Sequence, residues 1–318
     1  MGDNTSEDNG LFRRRDAVSI GLPDAALRQR VKSGELKRLY RGVYTYSCDL
    51  KDLDEYERQR ETYRRTVLAA ADSGDGSKAI SHYSAAVLHG LPVLYGDFTR
   101  VHFTANRTSG GRRRGRASVL HSTPWRSGET VVIDGLLVTS LARTAVDVAR
   151  TGSFVQAVCA LDGALRMGVA HDELAGVLMS SRGRTGIAMA FRAFAIADGA
   201  AESVGESYSR ALMHSFGDIP IPRLQQVFHD AEDVFVARTD FDWGGVVVGE
   251  FDGYAKYIRY LRPGETREQA LEREKLREQR IARLGIIVIR WCWKDLTTPA
   301  RLHRILREAL GNAGQLAS

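Results

Sequence analysis

Long apolar runs are missing from this chain. No stretch approaches the roughly 20 consecutive apolar residues that span a bilayer, so no membrane helix is expected. Cysteine is scarce: Cys48, Cys159 and Cys292 are odd in number, far apart and form no CxxC pair. That argues against a disulfide framework or a cysteine-based structural zinc site, and points to a reducing, cytoplasmic setting. The first ten residues, MGDNTSEDNG, lack the basic and apolar regions of a signal peptide and read as a polar, disordered tail. Gly74-Asp75-Gly76 lacks the strand–turn–helix context of a phosphate-binding loop.

What the chain does have is uneven charge. Its 318 residues carry a net charge of +6, and 43% are hydrophobic, enough for ordinary globular cores. Residues 13–46 hold nine Lys/Arg against three Asp/Glu, and residues 97–126 hold seven Arg against one Asp. Residues 200–318 hold seventeen of each sign. The excess positive charge is therefore in the first half, where it suits a phosphate backbone.

The pattern of residues 11–72 supports the same partner. LFRRRDAVSI reads as a short helix, GLP as a break, DAALRQRVKSG as a second helix, and LKRLYRGVYTY as a basic two-stranded ribbon turning at Arg41-Gly42. That order is a winged helix-turn-helix in outline. Its second helix would offer Arg28, Gln29, Arg30 and Lys32 to DNA, and its wing Lys37, Arg38 and Arg41 to phosphates. A charged helix over 51–72 leads onward.

Residues 73–198 read as a mixed α/β middle domain. KAISHYSAAVLHGLP is expected as a helix, with His82 and His89 two turns apart and both in packing or hydrogen-bonding roles. VHFTA, ASVLHS, TVVI and GLLVTS are expected strands, and SLARTAVDVART a helix capped by Ser140. The loop RTSGGRRRGR carries Arg112, Arg113, Arg114 and Arg116, either as a solvated hairpin tip or as a phosphate contact.

Residues 199–318 read as αβββαβα, a mixed sheet flanked by helices, so the overall class is α/β (α+β). The apolar strand VVVGEFDG ends in Glu250 and Asp252. These two share a face because side chains alternate with a period of two. A hairpin through Gly244-Gly245 brings Asp240 alongside, and Glu206 on the preceding helix reaches the same edge. Converging carboxylates repel unless a proton or cation compensates, and oxygen ligands suit Mg²⁺ or Mn²⁺. Such a metal could activate a water, with Lys256 orienting it. The other reading is surface carboxylates salt-bridged to Arg210, Arg238 or Lys275.

Two resemblances follow from these motifs. Glu206, Asp240, Glu250-Phe-Asp252 and Lys256, with REKLRE and RWCWKDL, resemble the restriction-endonuclease-like PD-(D/E)XK superfamily, in the branch of the very-short-patch-repair endonucleases. That likeness implies a metal-dependent nuclease fold over about residues 200–312. It implies Glu206, Asp240 and Glu250 as the metal site, and Asp252 and Lys256 as further catalytic residues. Asp252 stands where the superfamily's usual E-x-K motif has lysine, and Lys256 would substitute from a shifted position. LYRGVY, SHYSAAVLHGLP and VTSLARTAVDVAR resemble AbiEi-type antitoxins of type IV toxin–antitoxin systems. That likeness implies a winged-helix domain that binds DNA and represses its own operon, and a cognate toxin partner. Three functions are thus in play: an antitoxin-like repressor with a nuclease-like domain, a targeted Mg²⁺-dependent endonuclease, and a non-cutting binding protein.

Overall fold

The computed structural model describes residues 10–72, 76–253 and 264–316. The chain forms two compact units. Unit 1 comprises residues 1–148 and 171–184, and unit 2 residues 149–170 and 185–318. The helical stretches 149–170 and 185–198, read above as part of a middle domain, thus group with the C-terminal elements, and 11–72 groups with the sheet that follows it.

Unit 1 begins with β1 (Phe12–Arg13), α1 (Arg14–Ser19) and α2 (Asp24–Lys32), followed by β2 (Leu36–Tyr40) and β3 (Val43–Tyr46). LFRRRDAVSI is therefore a two-residue strand before its helix: Phe12 and Arg13 pair with Tyr44 and Val43 and close a three-stranded sheet of order β1-β3-β2. The apolar positions of α2 and the ribbon explain the packing. Leu27 and Leu36 are each 1% exposed and pack with Ala17, Val31 and Tyr46 into a small core. The other side of the ribbon carries Leu39 and Val43 onto Leu68 and Ala69 of α3 (Glu55–Asp72). Gly42, at φ +72°, supplies the left-handed residue on which the wing turns.

A six-stranded sheet of order β6-β7-β5-β4-β9-β8 completes unit 1. It comprises β4 (Lys78–Ile80), β5 (Val101–Ala105), β6 (Arg112–Arg114), β7 (Ser118–Ser122), β8 (Thr130–Ile133) and β9 (Leu136–Thr139). The four expected strands are present. Two were missed. KAI is strand β4 rather than the start of a helix, because it pairs with both β5 and β9. α4 then runs His82–His89 and ends on Gly90 at φ +77°. Arg112–Arg114 form β6, antiparallel to β7, instead of a loop without regular structure. α5 (Leu141–Thr151) starts where Ser140 Oγ accepts the Arg143 N–H at 3.3 Å, as expected of its cap. Arg143 is fully buried and donates to Asp147 at 2.9 Å and to Glu129 at 2.5 Å, so the ARTAVD segment holds an interior ion-pair network. α7 (His171–Ser180) also belongs to unit 1.

Unit 2 contains α6 (Phe154–Arg166), α8 (Ile187–Phe194) and α9 (Val204–Phe216), then β10 (Arg223–His229), β11 (Phe235–Trp243) and β12 (Val247–Asp252). It continues with α10 (Arg267–Arg283), β13 (Ile287–Cys292), the short α11 (Trp293–Leu296) and α12 (Pro299–Asn312). From α9 onward this is the expected αβββαβα order, with sheet order β10-β11-β12-β13. β12 runs parallel to β13, so the connection between them is a crossover through α10, and the other pairs are antiparallel. The sheet has two covered faces. Gly205 of α9 lies so close to Phe251 that a Cβ there would sit 2.0 Å from its ring. On the opposite face Val248 packs with Val236, Ile281 and Ile286. Trp291 is buried, its indole N–H donating to Ser209 Oγ at 2.7 Å. Trp293 lies beyond the strand, at the start of α11. Asp295 accepts the Cys292 N–H at 2.9 Å inside α11, and Thr298 precedes the closing helix.

Candidate nucleic-acid interface and carboxylate cluster

The basic residues of residues 11–46 sort by geometry. On α2, Leu27 and Val31 turn inward; with about 100° per residue, Arg28, Gln29 and Lys32 then share the outward face. All three are exposed. Arg30 sits on the flank and is tied to Glu35 at 3.3 Å. On β2 the pleat separates neighbours: Leu36 and Arg38 face the α1–α2 side, and Lys37 the other, with its Nζ 3.5 Å from Thr62 Oγ1 of α3. Arg41 is exposed at the ribbon turn. The sequence grouped Arg30 with Arg28, Gln29 and Lys32 on the helix and Lys37 with Arg38 and Arg41 on the wing, whereas the fold turns Arg30 to the flank and sets Lys37 and Arg38 on opposite faces.

Arg112, Arg113, Arg114 and Arg116 are all exposed, on and beside an edge strand. Arg112 is the register partner of His121, and Arg114 of Val119, while Arg113 points to the opposite side. Arg114 lies 3.9 Å from Asp97.

The acids of unit 2 come from three elements. The Phe241–Gly249 pairing puts Asp240 of β11 next to Glu250 of β12, and Asp240 Oδ2 accepts the Phe251 N–H at 2.9 Å. Glu250 is 4% exposed and is closed by two guanidiniums. Arg277 donates to one of its oxygens and Arg290 to the other at 3.0 Å. Both arginines also pair with Glu274, and Arg290 with Glu278. Burial acts to raise the Glu250 carboxyl, but these guanidiniums outweigh it and hold Glu250 below the ordinary range.

Glu206 comes from the other covered face. It lies in the first turn of α9 and accepts from the Glu202 N–H at 2.8 Å, Ser203 Oγ at 2.7 Å and Gln225 Nε2 at 3.0 Å. Burial raises its pKa, and the nearby Asp240 carboxylate raises it further. Asp252 is half-buried at the end of β12. Lys256 lies outside the described residues. Arg210, one of the salt-bridge partners considered for these acids, instead grips Asp162 of α6 through both carboxylate oxygens at 2.6 Å. Arg238 pairs with Glu202 at 2.7 Å.

Sequence reasoning missed a third cluster. His82, His102 and His121 meet in the interior of unit 1, with one ring nitrogen from each within 4.8 Å of the others. Among the described residues no other group of three His, Cys, Asp or Glu side chains comes together so closely. His102 is held down to about 4 by burial, with Asp97 opposing and Arg112, Arg114 and Arg100 adding to the depression. His102 and His121 lie two residues out of register on the neighbouring strands β5 and β7, so their meeting could have been found only with the strand register in hand.

Residues 4–47, which include this helix-turn-helix and ribbon, match the family model described as a transcriptional regulator, AbiEi antitoxin. Two curated proteins of Mycobacterium tuberculosis are also similar to this chain: uncharacterized protein MT2308 of strain CDC 1551 and uncharacterized protein Rv2248 of strain H37Rv. Each is 33% identical over 216 residues, which is 67% of this chain and 72% of the relative. The chain belongs to the family of these two mycobacterial proteins. A crystal structure of the RV2827C protein from Mycobacterium tuberculosis aligns with 58% of this chain and 69% of its own, at 16% identity and a TM-score of 0.34. Among the described residues, no helix is long and apolar enough to cross a membrane.

Proposed function

We propose that this protein is a DNA-binding transcriptional regulator of the antitoxin type, which represses its own operon and acts alongside a cognate toxin. The observation that carries the reading is the exposed Arg28–Gln29–Lys32 face of α2 beside the Arg41 wing, inside the segment matched by the regulator family. A helix presenting this face can enter the major groove, and the wing cations can meet the flanking phosphates. The exposed arginines of β6 offer a second set of phosphate contacts. The test is fluorescence anisotropy with the chain's own upstream DNA against scrambled duplex. Preferential binding that Arg28→Ala weakens supports the reading, and equal binding to both duplexes counts against it.

A second reading rests on unit 2. Its αβββαβα order and the proximity of buried Glu206 to Asp240 favour a Mg²⁺- or Mn²⁺-dependent DNA endonuclease. In the arrangement described, Glu250 is engaged by Arg277 and Arg290, so a cation would have to displace a guanidinium to reach it. Plasmid cleavage with either metal decides between the readings. Nicking by the wild-type protein that Asp240→Ala and Glu250→Ala both abolish makes it an endonuclease. Intact plasmid with a folded, DNA-binding protein leaves unit 2 a binding module.

A further inference from the structure

The three buried histidines have no part in either reading. His82 opens α4, His102 sits on β5 and His121 on β7, and they are 1%, 3% and 5% exposed. His102 Nδ1 is 3.1 Å from His121 Nε2, the His82 ring stacks on His121 with centroids 3.7 Å apart, and His82 Nδ1 is 3.0 Å from Ser81 Oγ. Packing of neutral imidazoles accounts for the stacking. It does not account for two polar atoms on the same sheet face. His102 Nε2 and Thr104 Oγ1 are buried without a hydrogen-bond partner. Residues 102 and 104 point the same way from β5, and Thr104 is the register partner of His121. Leaving such an atom unmet costs about 1–3 kcal/mol, so two of them beside three imidazoles leave this buried face short of a polar partner such as a water.

We propose that His82, His102 and His121 bind one divalent transition-metal cation of the zinc type, with a water held near Thr104 completing the shell. Neutral imidazole is a good ligand for such ions, and three histidines with an open fourth position are an established zinc donor set. With Zn–N distances of about 2.0–2.1 Å, tetrahedral ligand nitrogens lie roughly 3.3 Å apart. His102 Nδ1 and His121 Nε2, 3.1 Å apart, are already close to this, and His102 Nε2, the other nitrogen of that ring, then needs a partner other than the ion. The third nitrogen, within 4.8 Å, has about 1.5 Å to close, and the stacked ring must tilt as it does so. Asp97, whose charge acts on His102, is the nearby anion, while Arg100, Arg112 and Arg114 act in the opposite sense. His82 holds a left-handed backbone at φ +52°, which aims its ring at the cluster rather than along the helix. The ion would fasten α4, β5 and β7 at one point. Because Arg112 pairs with His121, that point also sets the position of the basic edge strand β6.

The experiment uses the full-length, tag-free protein purified without chelator. Zinc per chain is measured by mass spectrometry, and the chelated protein is then titrated with Zn²⁺ and Co²⁺. The expected result is about one ion per chain, a higher melting temperature with metal, and cobalt bands of a nitrogen–oxygen shell without thiolate charge transfer. His102→Gln and His121→Gln should weaken binding about a hundredfold or more, since even loss of an outer partner costs ten- to a hundredfold. A folded wild-type protein that takes up neither ion overturns the proposal. So does a thiolate band, or unchanged affinity in folded variants. If the variants fail to fold, the wild-type stoichiometry and cobalt spectrum decide alone.

Discussion

Replacing Arg28 and Lys32 together by alanine isolates the α2 face from the rest of the positive charge. Both side chains are exposed, share one face and leave the core residues Leu27 and Leu36 untouched, so the domain should keep its stability. If each cation meets one phosphate, each contributes about 0.9 to the slope of log K against log salt. The double variant should therefore have a slope shallower by roughly 1.8. Between roughly 50 and 200 mM salt each contact is worth about 3.5-fold, so the wild type should lose about twelvefold more affinity than the variant over that interval. Arg30→Ala serves as the internal control, because Arg30 is turned to the flank and tied to Glu35. The assay is anisotropy with a labelled duplex at four or more salt concentrations. Identical slopes for wild type and double variant, or an equal effect from Arg30→Ala, would refute the assignment of the α2 face.

Three further outcomes concern unit 2. Asp162→Asn leaves Arg210, 4% exposed, without its carboxylate, and should cost about 3–5 kcal/mol in urea unfolding. Glu250 is held below its ordinary value of 4.5, so the unfolded chain takes up the proton first as pH falls. Its contribution is therefore fully present above about pH 4.5 and drains away as pH falls through the lower folded value. Urea midpoints of wild type and Glu250→Gln should accordingly differ at neutral pH and converge in acid; a gap that widens in acid contradicts the ion-pair account. Gly205→Ala forces a methyl group into the Phe251 ring and should destabilise by about 1–3 kcal/mol, read as a lower melting temperature.

Much of this fold is legible from local pattern. The αβββαβα order follows from apolar runs of strand length bounded by Gly and Pro, and from a long charged helix between two of them. The ribbon follows from alternating residues around Arg41-Gly42. What local pattern missed depends on distant partners. KAI has the composition of the helix it precedes and becomes a strand only because β5 and β9 flank it. RRR becomes a strand only through β7. The acids show the same limit. Asp240 and Glu250 are neighbours as their hairpin implies, but nothing near Glu250 in sequence announces Arg277 and Arg290, 27 and 40 residues away. Glu206 could be placed at the sheet edge from its helix, while the layer it belongs to follows from Gly205 packing on Phe251. The histidines were visible as residues and invisible as a group, because their meeting depends on strand register.

The division of the chain has a consequence for how the protein can be taken apart. Unit 1 ends at Val148, resumes at His171 and ends again at Arg184, so the backbone passes from one unit to the other three times. A fragment cut after residue 148 discards α7, whose Leu174 and Leu178 are fully buried, and a fragment starting at 185 discards α6 with Asp162, the partner of Arg210. Neither piece contains a whole unit. Folding of either half thus requires synthesis to have proceeded well beyond its own first boundary, and limited proteolysis between residues 149 and 184 should release no independently stable fragment. The basic ribbon and the carboxylate-bearing sheet are inherited together, as interleaved parts of one chain.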